Sequence, residues 1–405
     1  MAELNPFDDE LNRRLAALNE QGLRRELRRV DSPQDPRIEI GGKTFLNFSS
    51  NDYLGFTNHP ALKEAAIKAV EKFGAGAGAS RLICGSLAPY HELEESLAAF
   101  KGTEAALAFS TGYAAALGAI TALVGKDDIV IVDKLVHASI VDAARLSGAK
   151  LRVFAHNDIE DLKGILKWAR KESSPTSVVT RHVLIVTESV FSMNGDAAPL
   201  REIVALKEKY GAWLMVDEAH ATGLYGKNGR GLADVLGVSG RIEIQMGTLG
   251  KALGASGGYI CGSRSLIDYL INHARSFIFS TAPVPAAAAA AAAGIQLAKS
   301  AEGDARRKTL WQLVDWLNSK FKLQHSTFRS AIIPLVIGDE ARTVELASNL
   351  REQNIFIPAI RYPTVARGAA RLRVTLTAAH SAEDVAQLVQ TFADLKFEIA
   401  DLKSP

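Results

Sequence analysis

The chain has 405 residues, 47% hydrophobic and 23% charged, with a formal net charge of +2 at pH 7. The length predicts two or three structural units with large cores, and the near-neutral charge gives no electrostatic reason to expect nucleic acid or a membrane surface as a partner. The two cysteines, Cys84 and Cys261, form no disulfide framework or zinc motif and are typical of the reducing cytoplasm, and neither a signal peptide nor a bilayer-spanning run is apparent.

The first 55 residues predict a helix followed by a hairpin. Leucines spaced among charges predict an amphipathic helix over residues 11–29, ended by Pro33 and Pro36. Residues 38–48 predict two strands joined by a glycine turn. Six arginines stand in the helical stretch: Arg13, Arg14, Arg24, Arg25, Arg28 and Arg29. We expect most of them on a solvated helix face, with one at most serving as an anion site.

Alternating helices and strands follow. Helices are predicted at 60–73, 90–101, 114–124 and 140–147, and apolar strands at 105–109, 129–132, 151–154, 183–187, 213–216, 242–246 and 259–261. This alternation predicts a parallel sheet, whose strands are apolar throughout because both faces are buried. The alanine run 286–293, between Pro285 and Gly294, predicts a tightly packed helix and not a membrane segment.

The pattern changes near Gly294. Helices are predicted at 308–322, 341–353 and 382–395, and strands at 330–337, 355–360 and 371–376. The predicted organisation is therefore an N-terminal segment over 1–55, a large α/β domain over 56–293 and a small α+β domain over 294–405.

Residues 247–258 surround Lys251 with five glycines, two alanines, a serine and a threonine. Small neighbours let a ring and a backbone approach closely. Removal from water lowers the pKa of a lysine amine, so that it can act as a nucleophile. The segment predicts a lysine that forms an imine with a bulky cofactor, and by itself it fits a solvated lysine in a glycine-rich turn equally well.

Polar residues follow four of the predicted strands. They are Asp133 and His137, then Glu188, Ser189 and Ser192, then Asp217, Glu218 and His220, and finally Thr248. An aspartate after one strand is often only a helix cap. Because ligands of open α/β sheets bind outside the carboxyl ends of the strands, four such endings together predict a pocket.

The residue types in this predicted pocket suit a pyridine-ring cofactor. Asp217 can keep a ring nitrogen protonated, which the ring needs to accept electrons. His137 can stack on the ring or cap the helix that follows it, and His220 can bind a phenolic oxygen or satisfy a turn. The amides of residues 110–113 suit a phosphate at a helix start, and Thr248 adds a hydroxyl.

Competing motifs fit poorly. Residues 247–252 lack the spacing of a phosphate-binding loop of the Walker type, and residues 74–78 do not fit G-x-G-x-x-G. Residues 254–258 match G-x-S-x-G, but a strand follows where a hydrolase elbow needs a helix.

At these residues the chain resembles the α-oxoamine synthase family of pyridoxal-phosphate enzymes. Residues 47–55, 74–85, 186–196, 215–223 and 248–258 carry the resemblance, which runs over nearly the whole chain. It implies the aspartate aminotransferase type of α/β fold: a large, mostly parallel-sheet domain plus a smaller C-terminal α+β domain. It also implies pyridoxal 5′-phosphate as cofactor and a homodimer with sites at the subunit interface.

The resemblance assigns the cofactor contacts by position. It implies that Lys251 is the Schiff-base lysine, that Asp217 is the partner of the ring nitrogen and that His137 stacks on the ring. The remaining implied contacts are Ser192 and His220 at the phenolic oxygen, Gly112, Tyr113 and Thr248 at the phosphate, and Ser280 and Thr281 reaching it from the other subunit.

The resemblance also assigns substrate contacts. Arg361 is expected to hold the amino-acid carboxylate, with Thr364 and Asn51 beside the substrate. Arg25 matches the arginine that meets the acyl substrate, and Arg24 is the rival by one position. Residues 361–366 read RYPTVA where the pattern has RPPTVP, which leaves acyl-chain recognition open.

Residues 154–158, which read FAHND, and residues 360–380 resemble in particular the members that condense L-alanine with pimeloyl-CoA or a pimeloyl acyl-carrier protein, with loss of CO2. The alternatives are a glycine-using sister enzyme, such as 2-amino-3-ketobutyrate CoA ligase or 5-aminolevulinate synthase, a serine-using palmitoyltransferase, and a non-catalytic scaffold. The sequence does not choose between coenzyme A and a carrier protein.

Overall fold

The computed structural model describes residues 5–172, 181–321 and 328–395. It divides into two compact units. The larger unit is Asn51–Leu310, and the smaller unit combines Met1–Ser50 with Trp311–Pro405.

The elements are numbered in chain order. The helices are α1 Pro6–Glu20, α2 Pro60–Phe73, α3 Ala88–Lys101, α4 Gly112–Leu123, α5 Ala138–Leu146, α6 Ile159–Glu172, α7 Leu200–Tyr210, α8 Leu232–Val235, α9 Arg264–His273, α10 Arg275–Ile278, α11 Pro285–Lys299, α12 Ala301–Phe321, α13 Glu340–Glu352 and α14 Ala382–Asp394. The strands are β1 Arg37–Ile40, β2 Lys43–Asn47, β3 Ala105–Phe109, β4 Ile129–Asp133, β5 Lys150–Phe154, β6 Val183–Glu188, β7 Trp213–Asp217, β8 Ile244–Thr248, β9 Gly258–Gly262, β10 Ile332–Gly338, β11 Ile355–Phe356, β12 Ala359–Ile360 and β13 Ala370–Thr375.

A seven-stranded sheet in the order β3-β9-β8-β7-β6-β4-β5 forms the centre of the larger unit. The strands from β4 to β8 pair in parallel, whereas β9 is antiparallel to both β8 and β3. The prediction of a mostly parallel sheet is confirmed. The carboxyl ends of β3 to β8 and the amino end of β9 therefore share one edge, which we call the strand-end edge.

Hydrophobic cores cover both faces of this sheet. Along β7, Met215 belongs to one core, and Leu214 and Val216 belong to the other. This alternation explains why the strands read as continuous apolar runs in the sequence.

Helix α11 packs against α2 and α3 within the larger unit. Its Gly294 lies so close to the Leu253 carbonyl that an added Cβ would come within 2.2 Å of the oxygen. In the described residues, no helix has the length and apolar character needed to cross a bilayer.

The two units differ from the predicted division at 55 and 293. Because α11 continues to Lys299 against its neighbours, residues up to 310 belong to the larger unit. The N-terminal hairpin joins the C-terminal part because β2 pairs in parallel with β11.

The smaller unit contains two three-stranded sheets, β1-β2-β11 and β10-β13-β12. The single strand predicted over 355–360 is wrong. It is split into β11 and β12, which belong to different sheets, and Pro358 between them has no amide hydrogen to continue a ladder.

The predicted helix over 11–29 is also wrong at both ends. It starts at Pro6, because the Asn5 side chain accepts a hydrogen bond from the Phe7 amide. It ends at Glu20, because Gly22 adopts a left-handed φ of 65° and the Leu23 amide bonds back to the Leu18 carbonyl at 2.8 Å. For the helix predicted over 308–322, the structure shows α12 starting at Ala301, and residue 322 lies outside the described residues.

Candidate active site

Four strand-end residues lie next to one another at the strand-end edge. Thr248, Asp217, Glu188 and Asp133 end β8, β7, β6 and β4, which are successive neighbours in the sheet. The prediction that these strand endings meet is therefore confirmed.

Lys251 lies in the loop that joins the antiparallel strands β8 and β9. The Leu249 amide donates to the Gly257 carbonyl, and the Gly254 amide donates to the Lys251 carbonyl, both at 2.9 Å. The exposed Ser256 is followed by β9, which excludes the strand–serine–helix elbow of a hydrolase.

The Lys251 amine starts a hydrogen-bonded series that sequence reasoning did not predict. Its Nζ lies 2.7 Å from Nε2 of buried His220, and His220 Nδ1 lies 2.6 Å from the hydroxyl of buried Tyr53. The Tyr53 hydroxyl donates to Asn51 Oδ1 at 3.3 Å. An ammonium has only donors, so charged Lys251 donates to Nε2, and His220 then donates from Nδ1 to Tyr53.

Asp217 is a buried carboxylate close to these groups. Its Oδ1 accepts a hydrogen bond from the Ala219 amide at 2.8 Å. Burial raises the pKa of Asp217, and the charge of Lys251 opposes that increase. The carboxylate is thus placed to be stabilised as an anion by a cation bound beside it.

His137 caps α5 and presents an exposed ring. Its Nδ1 accepts from the Ser139 amide at 3.3 Å and lies 2.8 Å from the Ser139 hydroxyl. Partial burial of the side chain lowers the pKa of His137, against the opposing charge of Asp217. A neutral ring that accepts at Nδ1 carries its proton on Nε2, so capping and ring stacking are compatible functions for this residue.

The N-terminus of α4 lies against the start of β9. A Cβ added to Gly258 would lie 2.5 Å from the Thr111 carbonyl and 2.6 Å from the Gly112 amide, so only glycine fits. Thr248 lies within 4 Å of the Cβ position of Gly112. The amides of Gly112 and Tyr113, which have no partner within the helix, thus lie near the Thr248 hydroxyl, which itself donates to the Gly257 carbonyl at 2.9 Å.

Ser192 and Glu188 lie in the same region. Buried Ser192 donates its amide hydrogen to Glu188 Oε2 at 3.1 Å, and Glu188 also accepts from the His137 amide. Burial and the neighbouring Asp217 charge raise the pKa of Glu188 to about 8. The sequence showed Glu188 only as an acidic residue at the end of an apolar strand, and that pattern did not predict its contact with Ser192 or its raised pKa.

The remaining predicted cofactor contacts lie on α4 and after α10. The Tyr113 hydroxyl donates to Asp142 Oδ2 at 2.8 Å. Ser280 and Thr281 lie with Ser110 around a small cavity of their own chain, and Thr281 pairs with Ser80.

The predicted substrate residues Arg25, Arg361 and Thr364 belong to the smaller unit. Arg25 lies 3.4 Å from Thr364 Oγ1, whereas Arg24 lies near Glu26. Arg361 donates to the Gly22 and Arg24 carbonyls. A cleft of about 410 Å³ is lined by five arginines: Arg24, Arg25, Arg28, Arg351 and Arg361. Burial, and secondarily the Arg25 charge, lower the pKa of Arg361.

The residues at the strand-end edge fit pyridoxal phosphate. The glycine-lined start of α4 suits the phosphate, the Lys251 amine suits an aldehyde, and buried Asp217 suits a pyridinium nitrogen. No group of three or more metal-ligating side chains occurs within the part of the chain that the structure describes.

Comparison with known proteins agrees with this chemistry. Residues 43–392 match the family model described as aminotransferase class I and II. Curated relatives named 8-amino-7-oxononanoate synthase include one from Geotalea daltonii, 47% identical over 94% of this chain and 95% of its own length, and one from Bacillus pumilus, 42% identical over 95% of each.

Solved structures show the same fold. A serine palmitoyltransferase from S. paucimobilis, solved with bound PLP–myriocin, has a TM-score of 0.88 at 30% identity and covers 97% of this chain and 98% of its own. An 8-amino-7-oxononanoate synthase from Francisella tularensis has a TM-score of 0.72 at 28% identity, covering 87% and 98%. The resemblance seen in the sequence is confirmed: the chain belongs to the aminotransferase class I and II family, within the group of 8-amino-7-oxononanoate synthases, and is a pyridoxal-phosphate-dependent acyltransferase.

Proposed function

We propose that this enzyme condenses L-alanine with a pimeloyl thioester to give 8-amino-7-oxononanoate. A carbon–carbon bond forms between the alanine α-carbon and the acyl carbonyl. The thioester carbon–sulfur bond breaks to release the thiol carrier, and the alanine carboxylate leaves as CO2. The observation that carries the proposal is the meeting of the Lys251 amine, the buried Asp217 carboxylate and the His137 ring in a chain 42–48% identical to synthases of that name.

Bound pyridoxal phosphate supplies an electron sink for charge that develops at the amino-acid α-carbon. Lys251 anchors the cofactor and, once released, moves the α-proton. Its 2.7 Å contact with His220 Nε2 orients the amine for both tasks. Asp217 holds the proton on the ring nitrogen, since the attraction between a carboxylate and a cation is stronger in the buried interior than in water.

The other strand-end residues position the ring. His137 stacks on it and donates from Nε2 to the substrate carbonyl or carboxylate. Ser192 and His220 bind the phenolic oxygen. Thr248 and the amides of Gly112 and Tyr113 bind the phosphate, as their convergence at the α4 start supports.

The substrates carry negative charges that match the arginines. Arg361 binds the alanine carboxylate, with Thr364 and Asn51 beside the substrate. Arg25 binds the acyl substrate. Its 3.4 Å distance from Thr364 Oγ1 favours it over Arg24, which lies near Glu26. The arginine-lined cleft favours a substrate with anionic groups, which a carboxylated acyl chain on a phosphorylated carrier supplies.

The enzyme acts as a homodimer in which Ser280 and Thr281 serve the phosphate of the partner subunit. Large exposed apolar side chains support an interface: Phe279, exposed by 70%, precedes Ser280, and Ile83, exposed by 79%, follows Ser80, which pairs with Thr281. The thioester arrives on coenzyme A or on an acyl-carrier protein. Two free cysteines agree with a cytoplasmic location.

One observation favours a serine-using function: two solved palmitoyltransferases have TM-scores of 0.88 and 0.87, higher than the 0.72 of the synthase from Francisella. The backbone path, however, is common to enzymes with the same cofactor chemistry. The curated synthases are 42–48% identical to this chain, whereas these palmitoyltransferases are 30–32% identical and the Francisella synthase is 28% identical.

The test is the reaction of purified holoenzyme with three substrate pairs: alanine with pimeloyl-CoA, glycine with acetyl-CoA, and serine with palmitoyl-CoA. We expect 8-amino-7-oxononanoate by mass spectrometry from the first pair alone, and pimeloyl-carrier protein in place of the CoA ester identifies the carrier. Lys251→Ala should abolish covalent attachment of the cofactor after borohydride reduction, and Lys63→Ala, at an exposed site, should not. Turnover of glycine or serine without turnover of alanine would contradict the proposal.

A further inference from the structure

The FAHND segment that follows β5 lies at the strand-end edge, yet the proposed mechanism uses none of its side chains. His156 in this segment is bound by two carboxylates from two other loops. Its Nδ1 lies 2.9 Å from Asp133 Oδ1, and its Nε2 lies 2.6 Å from Asp196 Oδ2. Ionised carboxylates only accept hydrogen bonds, so these two contacts favour an imidazolium that donates from both ring nitrogens.

Asp133 connects this cation to the loop that carries His137. Its side chain is completely buried at the end of β4, and Oδ1 also accepts from the Leu135 amide at 2.8 Å. The turn formed in this way leads directly to His137, which starts α5. We call residues 134–137 the β4 loop.

Asp196 connects the same cation to the loop that carries Ser192. Its carbonyl accepts from the Phe191 amide at 2.9 Å, and Val190 pairs with Ala197, so Asp196 closes residues 189–198 into a compact loop, which we call the β6 loop. The Phe191 ring packs edge-on against His156, with centroids 4.4 Å apart.

Asn157 reinforces the same arrangement. Its amide donates to Asp133 Oδ2 at 2.9 Å, and its side chain donates to Asp196 Oδ2 at 3.1 Å. Both bonds depend on a left-handed backbone, with φ of 58°, which asparagine tolerates better than most residues.

We propose that the imidazolium of His156 is a positioning residue that holds the β4 loop and the β6 loop together, and thereby fixes His137 and Ser192 relative to each other. The proposal rests on the proposed roles of His137 and Ser192 at the cofactor. Asp133 and Asp196 are the charged groups that face His156. Burial alone would lower the pKa of His156, but the hydrogen bonds and charges of these carboxylates raise it to about 9. The contacts of His156 with Asp133 and Asp196, which we call the His156 clamp, are therefore intact at neutral pH and break as the ring loses its proton.

The first test compares His156→Asn with the double variant His156→Asn/Asp196→Asn. The single variant leaves two carboxylates facing each other without a cation, so the loops should separate. Displacements of about 1 Å at a reacting group can reduce rates about 100-fold, and we expect kcat to fall about 10- to 100-fold with KM for alanine within about threefold. The double variant removes the repulsion and should regain at least about fivefold in kcat.

The second readout is the visible absorbance spectrum of bound pyridoxal phosphate, which needs no acyl substrate. Ser192 is proposed to touch the phenolic oxygen, so the spectrum should change in His156→Asn and return towards wild type in the double variant. In the wild type the spectrum should change with a midpoint near pH 9, and this transition should be absent from the double variant.

The matched control is His59→Asn. His59 also pairs with a carboxylate, Glu302 at 3.2 Å, and caps α2, a role that asparagine can keep, so the substitution should leave the cofactor spectrum unaltered. If His156→Asn keeps the wild-type kcat and the wild-type spectrum, the proposal is overturned. It is also overturned if the spectrum is unchanged and the loss of kcat equals the fraction of enzyme that is unfolded. A double variant worse than the single variant, or a wild type without a spectral transition near pH 9, would also overturn it. If the spectra change as expected but the enzyme does not condense alanine with the pimeloyl thioester, the proposed function is contradicted and the role of His156 is not.

Discussion

Gly258→Ala tests the proposed phosphate site without touching any side chain that binds the cofactor. Gly258 pairs with Phe109 on one side and with Thr248 on the other, and its φ lies outside the left-handed region, so alanine is compatible with the backbone. The added methyl group would lie 2.6 Å from both the amide nitrogen and the Cα of Gly112. The substitution therefore acts only through contact with the start of α4.

The size of the effect follows from these distances. Ordinary Cβ contacts begin at 3.4 Å and the nearest atom, the Thr111 carbonyl oxygen, would lie at 2.5 Å, so the start of α4 must retreat by roughly 0.9 Å, the difference between 3.4 and 2.5 Å. A methyl group forced into a close-packed site costs about 1–3 kcal/mol of folding free energy. One hydrogen bond to a charged phosphate contributes about 1.5–3 kcal/mol, so its loss should raise the dissociation constant of pyridoxal phosphate about 10- to 150-fold.

The assay is titration of apoenzyme with pyridoxal phosphate, followed by visible absorbance, with a thermal melt of each sample. Gly240→Ala is the control, because an added Cβ meets nothing within 4 Å and its φ is also outside the left-handed region. The control should bind the cofactor within about twofold of wild type. If Gly258→Ala binds pyridoxal phosphate as tightly as the control does, the phosphate does not rest on the start of α4.

Three further outcomes follow from buried charges and thiols. Lys101→Met should lower the free energy of unfolding by about 3–5 kcal/mol, measured by denaturant titration, because it leaves the Glu218 carboxylate buried without its 2.6 Å partner. In the native protein the Cys261 thiol should not react with a colorimetric disulfide reagent until the enzyme is unfolded, because it is buried with its pKa raised to about 12. The pKa of His156 is raised when folded, so its stabilisation is complete below about pH 6.5 and lost as pH rises through about 9. The difference in unfolding free energy between wild type and His156→Asn should therefore shrink by about 3 kcal/mol over that range, at about 1.36 kcal/mol per pKa unit.

Local sequence patterns correctly predicted the helices and strands whose boundaries depend on neighbouring residues. Helix α2 and strand β3 have the predicted bounds, because proline starts the first and continuous apolar residues define the second. The α1 error came from extending leucine periodicity past Gly22, although its positive φ ends the helix. The β11–β12 break likewise depends on Pro358 and on which sheet each half joins.

The candidate site likewise contains residues that local sequence patterns identified and contacts that those patterns did not predict. Lys251, Asp217 and His137 were identified because each follows its own strand, and strand order then brought them together. Tyr53 was missed as a partner of His220, since 167 residues separate them and no local pattern joins them. The His156 clamp needs three loops to meet, so its residues could be noticed in the sequence but their contacts could not be predicted.

The fold also limits where acyl specificity can reside. Serine palmitoyltransferase and 8-amino-7-oxononanoate synthase structures share this backbone, with TM-scores of 0.88 and 0.72, although their names specify different substrates. The Lys251, Asp217 and His137 chemistry suits either amino acid, because it acts on the α-carbon and the ring that both reactions have in common. Discrimination between acyl chains must therefore come from residues that the cofactor chemistry does not constrain. Tyr362 and Ala366, the two positions at which residues 361–366 depart from the expected pattern, and Arg25 beside Thr364 satisfy that condition. Selection of the acyl substrate can then change through these residues while the strand-end edge stays the same.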